Sequence, residues 1–374
     1  MKIAVNTRLL LKNRLEGIGW FTYETMKRIA QWHPEHEFFF LFDRPYDPKF
    51  IFSNNITPVV LYPQSRHPIL WYLWFEVSVK RFLKSNSIDL FISPDGYMSL
   101  SSDVPQLGII HDINFFHYPN DLPPFARLYL NYYFPRFASK AIRIATVSEY
   151  SKSDISKSYG IDPDKIDVVY NGANDQYKQL SDIEKGEVRS LISDGHPYFV
   201  FVGAFNPRKN VARLLLAFEK FKTETNSPFR LVIVGEKMYS TRQMNQVFSN
   251  MKYRDDVVFA GRLQVEQLKR VIGAAFAMAY FSYFEGFGIP ILEAMKCGVP
   301  LIASNLTSIP EVAGNAALYA NPFNVDSMTD AMMKISSNEK LRERLIENAL
   351  LQQKMFSWDN TAKALYESIV KIKV

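Results

Sequence analysis

Residues 282–303, SYFEGFGIPILEAMKCGVPLIA, decide the reading of this 374-residue chain. An apolar run, FAMAYF (276–281), ends just before them, and their own end opens a second one, PLIAS (300–304). Short apolar runs bounded by turn residues read as buried strands. Between the two runs, Gly286 and Gly288 can take backbone angles closed to other residues. Pro290 suits the first helical position and Gly298 suits a helix stop, so a helix of about two turns is expected over 290–297. The N–H groups at the start of such a helix, together with those of the loop, make an anion site suited to a phosphate. Glu285 precedes the helix and Glu293 lies in it, eight positions on. The acceptor oxygens of a carboxylate match the adjacent hydroxyls of a ribose or a hexose. Taken alone, the two acids also fit a loop charge and a solvated helix face. The surrounding glycines and proline favour a site.

Working outward, the same unit recurs. Strand-like runs are expected at 2–6, 37–42, 59–62, 88–93, 106–110, 143–147 and 165–170, and helical periodicity at 20–31, 70–84, 124–140 and 149–159. Residues 171–196 are polar without a continuous apolar face, and the domain boundary is placed there, after residue 178. A second series of runs follows at 198–203, 229–235, 256–261, 276–281, 300–304 and 316–320, and the segment from Trp358 reads as an amphipathic helix. Strands alternating with helices imply parallel sheets. The expected fold is α/β, with two doubly wound domains, 1–178 and 179–357. Such sheets bind ligands at the carboxyl ends of their strands, so a cleft between the domains is the expected site.

Composition narrows the class. Hydrophobic residues make up 47% and charged residues 22%, which excludes a disordered or fibrous chain. Cys297 is the one cysteine, so an internal disulfide framework and a cysteine-rich zinc site are excluded, and a reducing compartment fits. The N-terminus lacks the pattern of a secretory signal, and the longest near-apolar run, 271–281, is too short to span a bilayer. A cytoplasmic protein is expected, attached to the inner face of a membrane at most. The net charge of +6 suits anionic partners, but the bases are scattered, which argues against nucleic acid.

The E-x7-E spacing inside EGFGIPILEAMKCGVPLIAS resembles the signature of the retaining glycosyltransferases of family 4, which have the GT-B fold. Further stretches agree in position and type: EGIGWFT (16–22), IHDIN (110–114), TVSEYSKSDI (146–155), VGAFNPRKNV (202–211), SIPEVAG (308–314) and FSWDNTAKALY (356–366). The resemblance implies two Rossmann-like domains, an acceptor domain and a nucleotide-sugar domain, with the C-terminal helix 358–374 returning to the first. It implies that Glu293 holds the ribose hydroxyls of a nucleotide-sugar. Glu285, with the backbone amides of Phe287, Gly288 and Ile289, would hold the sugar hydroxyls. Arg208 and Lys209 would clamp the diphosphate, although such a basic pair after a strand can also be merely exposed. Two cations and a helix N-terminus can stabilise the charge of a departing nucleoside diphosphate without a metal or cofactor. Many family members carry an arginine where this chain has Ala204, which throws more weight on Arg208.

Gly17-Ile18-Gly19 fails the dinucleotide pattern G-x-G-x-x-G, because Thr22 stands where the last glycine belongs. The resemblance makes it a loop approaching the diphosphate, with Gly19 giving backbone access. An ordinary glycine turn is the alternative. The resemblance places His111 near the transferred sugar; a histidine at a strand end is otherwise a satisfied polar residue. Asp112 beside it either fixes the imidazole or caps a turn. Asp162-Pro163-Asp164 has D-x-D spacing, but its proline and its place between a helix and a strand read as a turn, and no cluster has convincing metal spacing. The PRKN form of the clamp resembles subgroups using GDP-mannose, with UDP-sugars next. The acceptor is a saccharide or a lipid-linked saccharide. Stretches 67–84 and 123–143 interleave Trp, Tyr and Phe with Lys and Arg and suit a bilayer interface, or pack on the sheet with their charges solvated. A nucleotide-sugar epimerase and a non-catalytic nucleotide-sugar-binding protein are the remaining alternatives.

Overall fold

The apolar runs pair as parallel strands in two sheets. The computed structural model describes residues 1–12, 14–236 and 242–372. Its chain divides into two units, 1–172 with 357–374, and 173–356. The break thus lies at the start of the polar stretch, at Gly172/Ala173.

The first unit holds β1 (Lys2–Asn6), β2 (Glu37–Phe42), β3 (Ile56–Val60), β4 (Leu90–Ser93), β5 (Gln106–Ile109), β6 (Arg143–Thr146) and β7 (Ile166–Val168). Their order is β3-β2-β1-β4-β5-β6-β7, and every neighbouring pair is parallel. The order reverses between β1 and β4. The central strands are buried throughout except for Lys2 at the start of β1, which is why they read as largely apolar runs rather than alternating ones. Helices α1 (Gly17–Trp32), α2 (Pro124–Lys140) and α3 (Glu149–Tyr159) lie between strands. The helix expected over 70–84 runs as three joined segments, Pro68–Leu73, Trp74–Val79 and Lys80–Ser85, the middle one widened to a π-helical turn.

The second unit's first helix is α4 (Asp182–Ile192), within the polar stretch that holds the expected domain boundary. A capping box starts it: the Ser181 hydroxyl accepts from the Glu184 amide, and the Glu184 carboxylate accepts from the Ser181 amide. The sheet contains β8 (Tyr198–Val202), β9 (Arg230–Val234), β10 (Val257–Gly261), β11 (Ala277–Tyr280), β12 (Leu301–Ser304) and β13 (Ala317–Ala320). Its order is β10-β9-β8-β11-β12-β13, again parallel throughout. Here the order reverses between β8 and β11. Helices α5 (Val211–Thr225) and α6 (Ile289–Lys296) follow those two strands.

The last helix, α7 (Trp358–Val370), belongs to the first unit and packs on α1. Arg28 pairs with Asp359 at 2.6 Å, and the His33 and Tyr366 rings stack with centroids 3.4 Å apart. Gly172 accommodates the arriving chain: a Cβ there would sit 2.4 Å from the Trp358 amide nitrogen.

Candidate active site

The topological switch in an open parallel sheet leaves a crevice at the carboxyl ends of the two strands that flank it. In the second unit those strands are β8 and β11, and the two loops that follow them bring Arg208, Lys209 and Glu285 together. After β8, Pro207–Lys209 forms a single 3-10 turn, and Asn210 follows in the left-handed conformation at φ 61°. The buried Asn210 amide holds the turn in place, donating to the Phe281 carbonyl at 3.1 Å and the Pro322 carbonyl at 2.7 Å. The Arg208 carbonyl accepts from the Tyr283 amide at 2.9 Å, which stitches the turn to the loop after β11.

Glu285 is 5% exposed and lies between both cations. Arg208 Nη1 is 2.7 Å from its Oε2, and Lys209 Nζ is 2.6 Å from its Oε1. Arg208 Nη1 also donates to the Phe284 carbonyl at 3.0 Å. The Tyr280 hydroxyl, 3.0 Å from Oε1 and 2.7 Å from Lys209 Nζ, closes the cluster. From the far side, the Glu285 amide donates to Thr307 Oγ1, and the Ser308 hydroxyl donates to the Glu285 carbonyl. Burial opposes the charged carboxylate, but Arg208 and Lys209 outweigh it and pull Glu285 down to about 2. Burial and the neighbouring Glu285 charge push the Tyr280 phenol well above its ordinary value. Tyr280 and Thr307 escaped the sequence reading, and Ser308 entered it only as the first residue of SIPEVAG. Tyr280 looked like one more apolar strand residue, and Thr307 adjoins SIPEVAG without any spacing signal.

Gly288 takes φ 94° and leads into α6, whose first turn contains Pro290. A proline there removes an N–H that would have no partner within the helix. Phe287, Gly288 and Ile289 thus stand at the helix start, and Gly298, at φ 62°, ends it. Glu293, on α6, is not part of the Glu285 network. The phenol of Tyr177 is its hydrogen-bonding neighbour, and burial pushes Glu293 up to about 7.

In the first unit, His111 lies just beyond β5. Its Nε2 is 2.9 Å from the Pro94 carbonyl, and the Phe21 ring meets it edge-on with centroids 5.0 Å apart. A carbonyl only accepts, so Nε2 carries the proton and Nδ1 the lone pair. Burial holds the imidazole below its ordinary value. Asp112 takes the capping alternative: its Oδ1 accepts from the Asn114 amide at 3.0 Å.

The loop holding Pro94 is braced by a buried network. Arg8 Nε is 2.6 Å from Asp95 Oδ2, Asn6 Nδ2 is 2.8 Å from Asp95 Oδ1, and the Arg8 guanidinium lies 4.3 Å from the Tyr97 ring centre. Arg8 and Asp95 are 87 positions apart, which is why the sequence did not single them out.

Gly17 and Gly19 lie inside α1 rather than in a loop before it. The Trp20 amide donates to the Glu16 carbonyl at 2.8 Å and closes the first turn. A Cβ on Gly19 would sit 2.9 Å from the Leu9 carbonyl oxygen, so close packing accounts for this glycine. Asp162 accepts from the Asp164 amide at 2.9 Å, which makes the D-x-D stretch a turn. Among the described residues, no three His, Cys, Asp or Glu side chains form a metal-sized group, and no helix is long and apolar enough to cross a membrane.

Comparison with known proteins identifies the family and the fold. Residues 15–177 match the family described as Glycosyltransferase Family 4, and residues 182–352 match Glycosyl transferases group 1. The O-antigen chain mannosyltransferase B of Escherichia coli is 32% identical over 253 residues, covering 67% of this chain and 66% of that protein. The O-antigen chain mannosyltransferase RfbU of Salmonella typhimurium is 30% identical over 269 residues, covering 72% and 71%. The aligned region thus spans about two thirds of each relative's length. Sucrose-phosphate synthase from Thermosynechococcus elongatus superposes with a TM-score of 0.81 at 16% identity, covering 99% of this chain and 98% of that one. Anabaena HepE, crystallised with UDP and glucose, superposes with a TM-score of 0.76 at 16% identity over the whole of both chains. At such identities the two structures speak for the fold alone. The two family matches and the relatives together show that the chain belongs to the group 1, family 4 glycosyltransferases and has their GT-B fold.

Proposed function

We propose that this protein is a retaining mannosyltransferase. It moves mannose from GDP-mannose onto a saccharide, or a lipid-linked saccharide, during synthesis of a cell-surface polysaccharide. The observation that carries the reading is the buried Glu285 carboxylate held between Arg208 and Lys209 at the switch point of the second sheet. Both cations have an anion already; a donor's diphosphate replaces it. Arg208 and Lys209 then neutralise the diphosphate with the N-terminus of α6, and Glu285 is released to accept from the sugar hydroxyls beside the Phe287, Gly288 and Ile289 amides. Glu293 takes the ribose hydroxyls. The choice of mannose draws on the O-antigen mannosyltransferases among the relatives.

In the reaction the bond between the anomeric carbon and the β-phosphate oxygen breaks, and the acceptor oxygen bonds that carbon from the same face. The acceptor proton passes to the departing phosphate oxygen. The residues' task is to stabilise the leaving charge, and we propose that Arg208 and Lys209 do so without a metal ion. His111 orients the sugar or the acceptor through Nδ1.

A UDP-sugar donor is the second reading, since two cations and a helix N-terminus hold the diphosphate of either nucleotide. A thermal-shift series with GDP, UDP, ADP and dTDP and their sugars separates the two, since a ligand stabilises the fold that binds it. Turnover of GDP-mannose with a saccharide acceptor, undiminished by EDTA, is the expected result. Epimerised donor with no acceptor consumed, or nucleotide binding without turnover against any acceptor extract, overturns it.

A further inference from the structure

The first unit presents an uncovered apolar face built from two neighbouring helices. On the 68–85 helix, Ile69 is 68% exposed and Val77 55%, with Tyr72 and Leu73 exposed between them. On α2, Phe125 is 80% exposed and Leu128 70%, with Tyr132 exposed four positions on. Spacings of three and four place each set along one side of its helix. The faces adjoin: the Tyr72 and Tyr133 rings lie 6.2 Å apart, and Tyr133 touches Tyr132 at 5.0 Å. These helices already have buried inner sides, Trp74 and Phe75 on one and Phe134 and Phe137 on the other. The outer residues are therefore surplus to packing, and a contiguous apolar patch on a protein surface marks an interaction site.

Charge selects the partner. Residues 62–84 carry Arg66, Lys80, Arg81 and Lys84 against a single acid, Glu76. That carboxylate is turned inward, accepting from the Leu100 amide at 2.5 Å and the Ser101 amide at 3.2 Å. Residues 123–143 carry four bases and no acid. Arg136 lies over the Tyr132 ring, its guanidinium 3.6 Å from the ring centre. An apolar face with tyrosines, set among bases, fits the interface of an anionic bilayer. The same bases would meet one another across a contact with a second copy of the chain.

We propose that this face docks the protein on an anionic lipid bilayer. Phe125, Leu128, Ile69 and Val77 enter the headgroup–acyl boundary, and Arg81, Lys84 and Arg127 meet lipid phosphates. The proposal supplies the surface that brings the transferase to a lipid-linked acceptor and rests on that reading for its purpose. Binding is therefore measured without donor or acceptor.

The test is flotation of the full chain with vesicles of equal parts phosphatidylcholine and phosphatidylglycerol, and with phosphatidylcholine alone. Wild type floats with the mixed vesicles, less so in high salt. F125S/L128S and R81E/K84E each lower the partition at least ~10-fold with Tm unchanged, because each removes buried apolar area or charges attracted to the surface. Absence of wild-type flotation, or variants that float like wild type, overturns the proposal. So does a concentration-dependent dimer that F125S/L128S abolishes while no flotation is seen. Turnover of donor onto a soluble saccharide is followed in parallel. Flotation without any turnover sustains the surface and defeats the transferase reading, whereas turnover without flotation does the reverse.

Discussion

Lys209 and Glu285 stand 76 positions apart in the chain and 2.6 Å apart in the fold, deep in the second unit. A buried ion pair of this kind adds little net stability, because removing two charges from water offsets most of their attraction. Its position after the two central strands of a doubly wound sheet points to use rather than to stability. On the proposed function, the carboxylate is a stand-in anion that keeps Arg208 and Lys209 oriented until a diphosphate replaces it.

This exchange sets a divided outcome for Glu285→Gln. The variant binds GDP at least as tightly as wild type, since the competing internal anion is gone. Transfer falls at least ~100-fold, since the contact to the reacting sugar is lost. Arg208→Ala loses both. Titration calorimetry with GDP, alongside turnover assays, checks the split; equal losses of binding in the two variants contradict it.

Glu293 gives the account a pH dependence. Burial raises its carboxyl from 4.5 to about 7, so between those values the unfolded chain releases a proton that the folded chain keeps. Stability therefore falls as pH rises through this window and is level above it. Glu293→Gln removes the effect, so its Tm exceeds that of wild type at about pH 8 and the gap closes near pH 4. If the ionised carboxylate binds ribose, wild-type affinity for GDP also weakens as pH drops below about 7, and Glu293→Gln loses that dependence. Thermal melts and GDP titrations across pH read both effects.

Gly19→Ala probes packing rather than chemistry. The new methyl would meet the Leu9 carbonyl at 2.9 Å, a backbone atom that cannot rotate away. A loss of about 1–3 kcal/mol is expected in denaturant unfolding. Unchanged stability would show that α1 can shift.

Arg8 and Asp95 brace the loop whose Pro94 carbonyl accepts from His111. Asp95→Ala leaves Arg8 buried without its partner and costs about 3–5 kcal/mol. Asp95→Asn keeps one acceptor and costs less. In the folded Asn variant, a displaced His111 lowers turnover while GDP binding in the second unit is unchanged. Loss of GDP binding would contradict this division of labour.

How much was legible in the chain follows from the physics of each part. Parallel strands are buried on both faces, so runs such as 198–203 and 229–235 mark β8 and β9 to within a residue at either end. Helices α2 and α3 stand where their periodicity placed them. By contrast, α4 buries only Val188 and leaves Ile183 and Leu191 exposed, so it shows no apolar face; the S-D-I-E capping box was its one readable sign. At the site, the loop glycines and Glu285 were visible because local spacing carries them, and the Arg208-Lys209 pair was visible through the family resemblance. Their mutual contact was not, nor were Tyr280, Thr307, Arg8 and Asp95, because contacts between distant segments leave no periodic trace.

The most direct measurement is a crystal structure of the protein with GDP-mannose bound. The expected result is diphosphate oxygens within about 3 Å of the Arg208 guanidinium and Lys209 Nζ, with the Glu285 carboxylate turned from those cations to the mannose hydroxyls. A donor bound elsewhere, with Glu285 still held between Arg208 and Lys209, would contradict it.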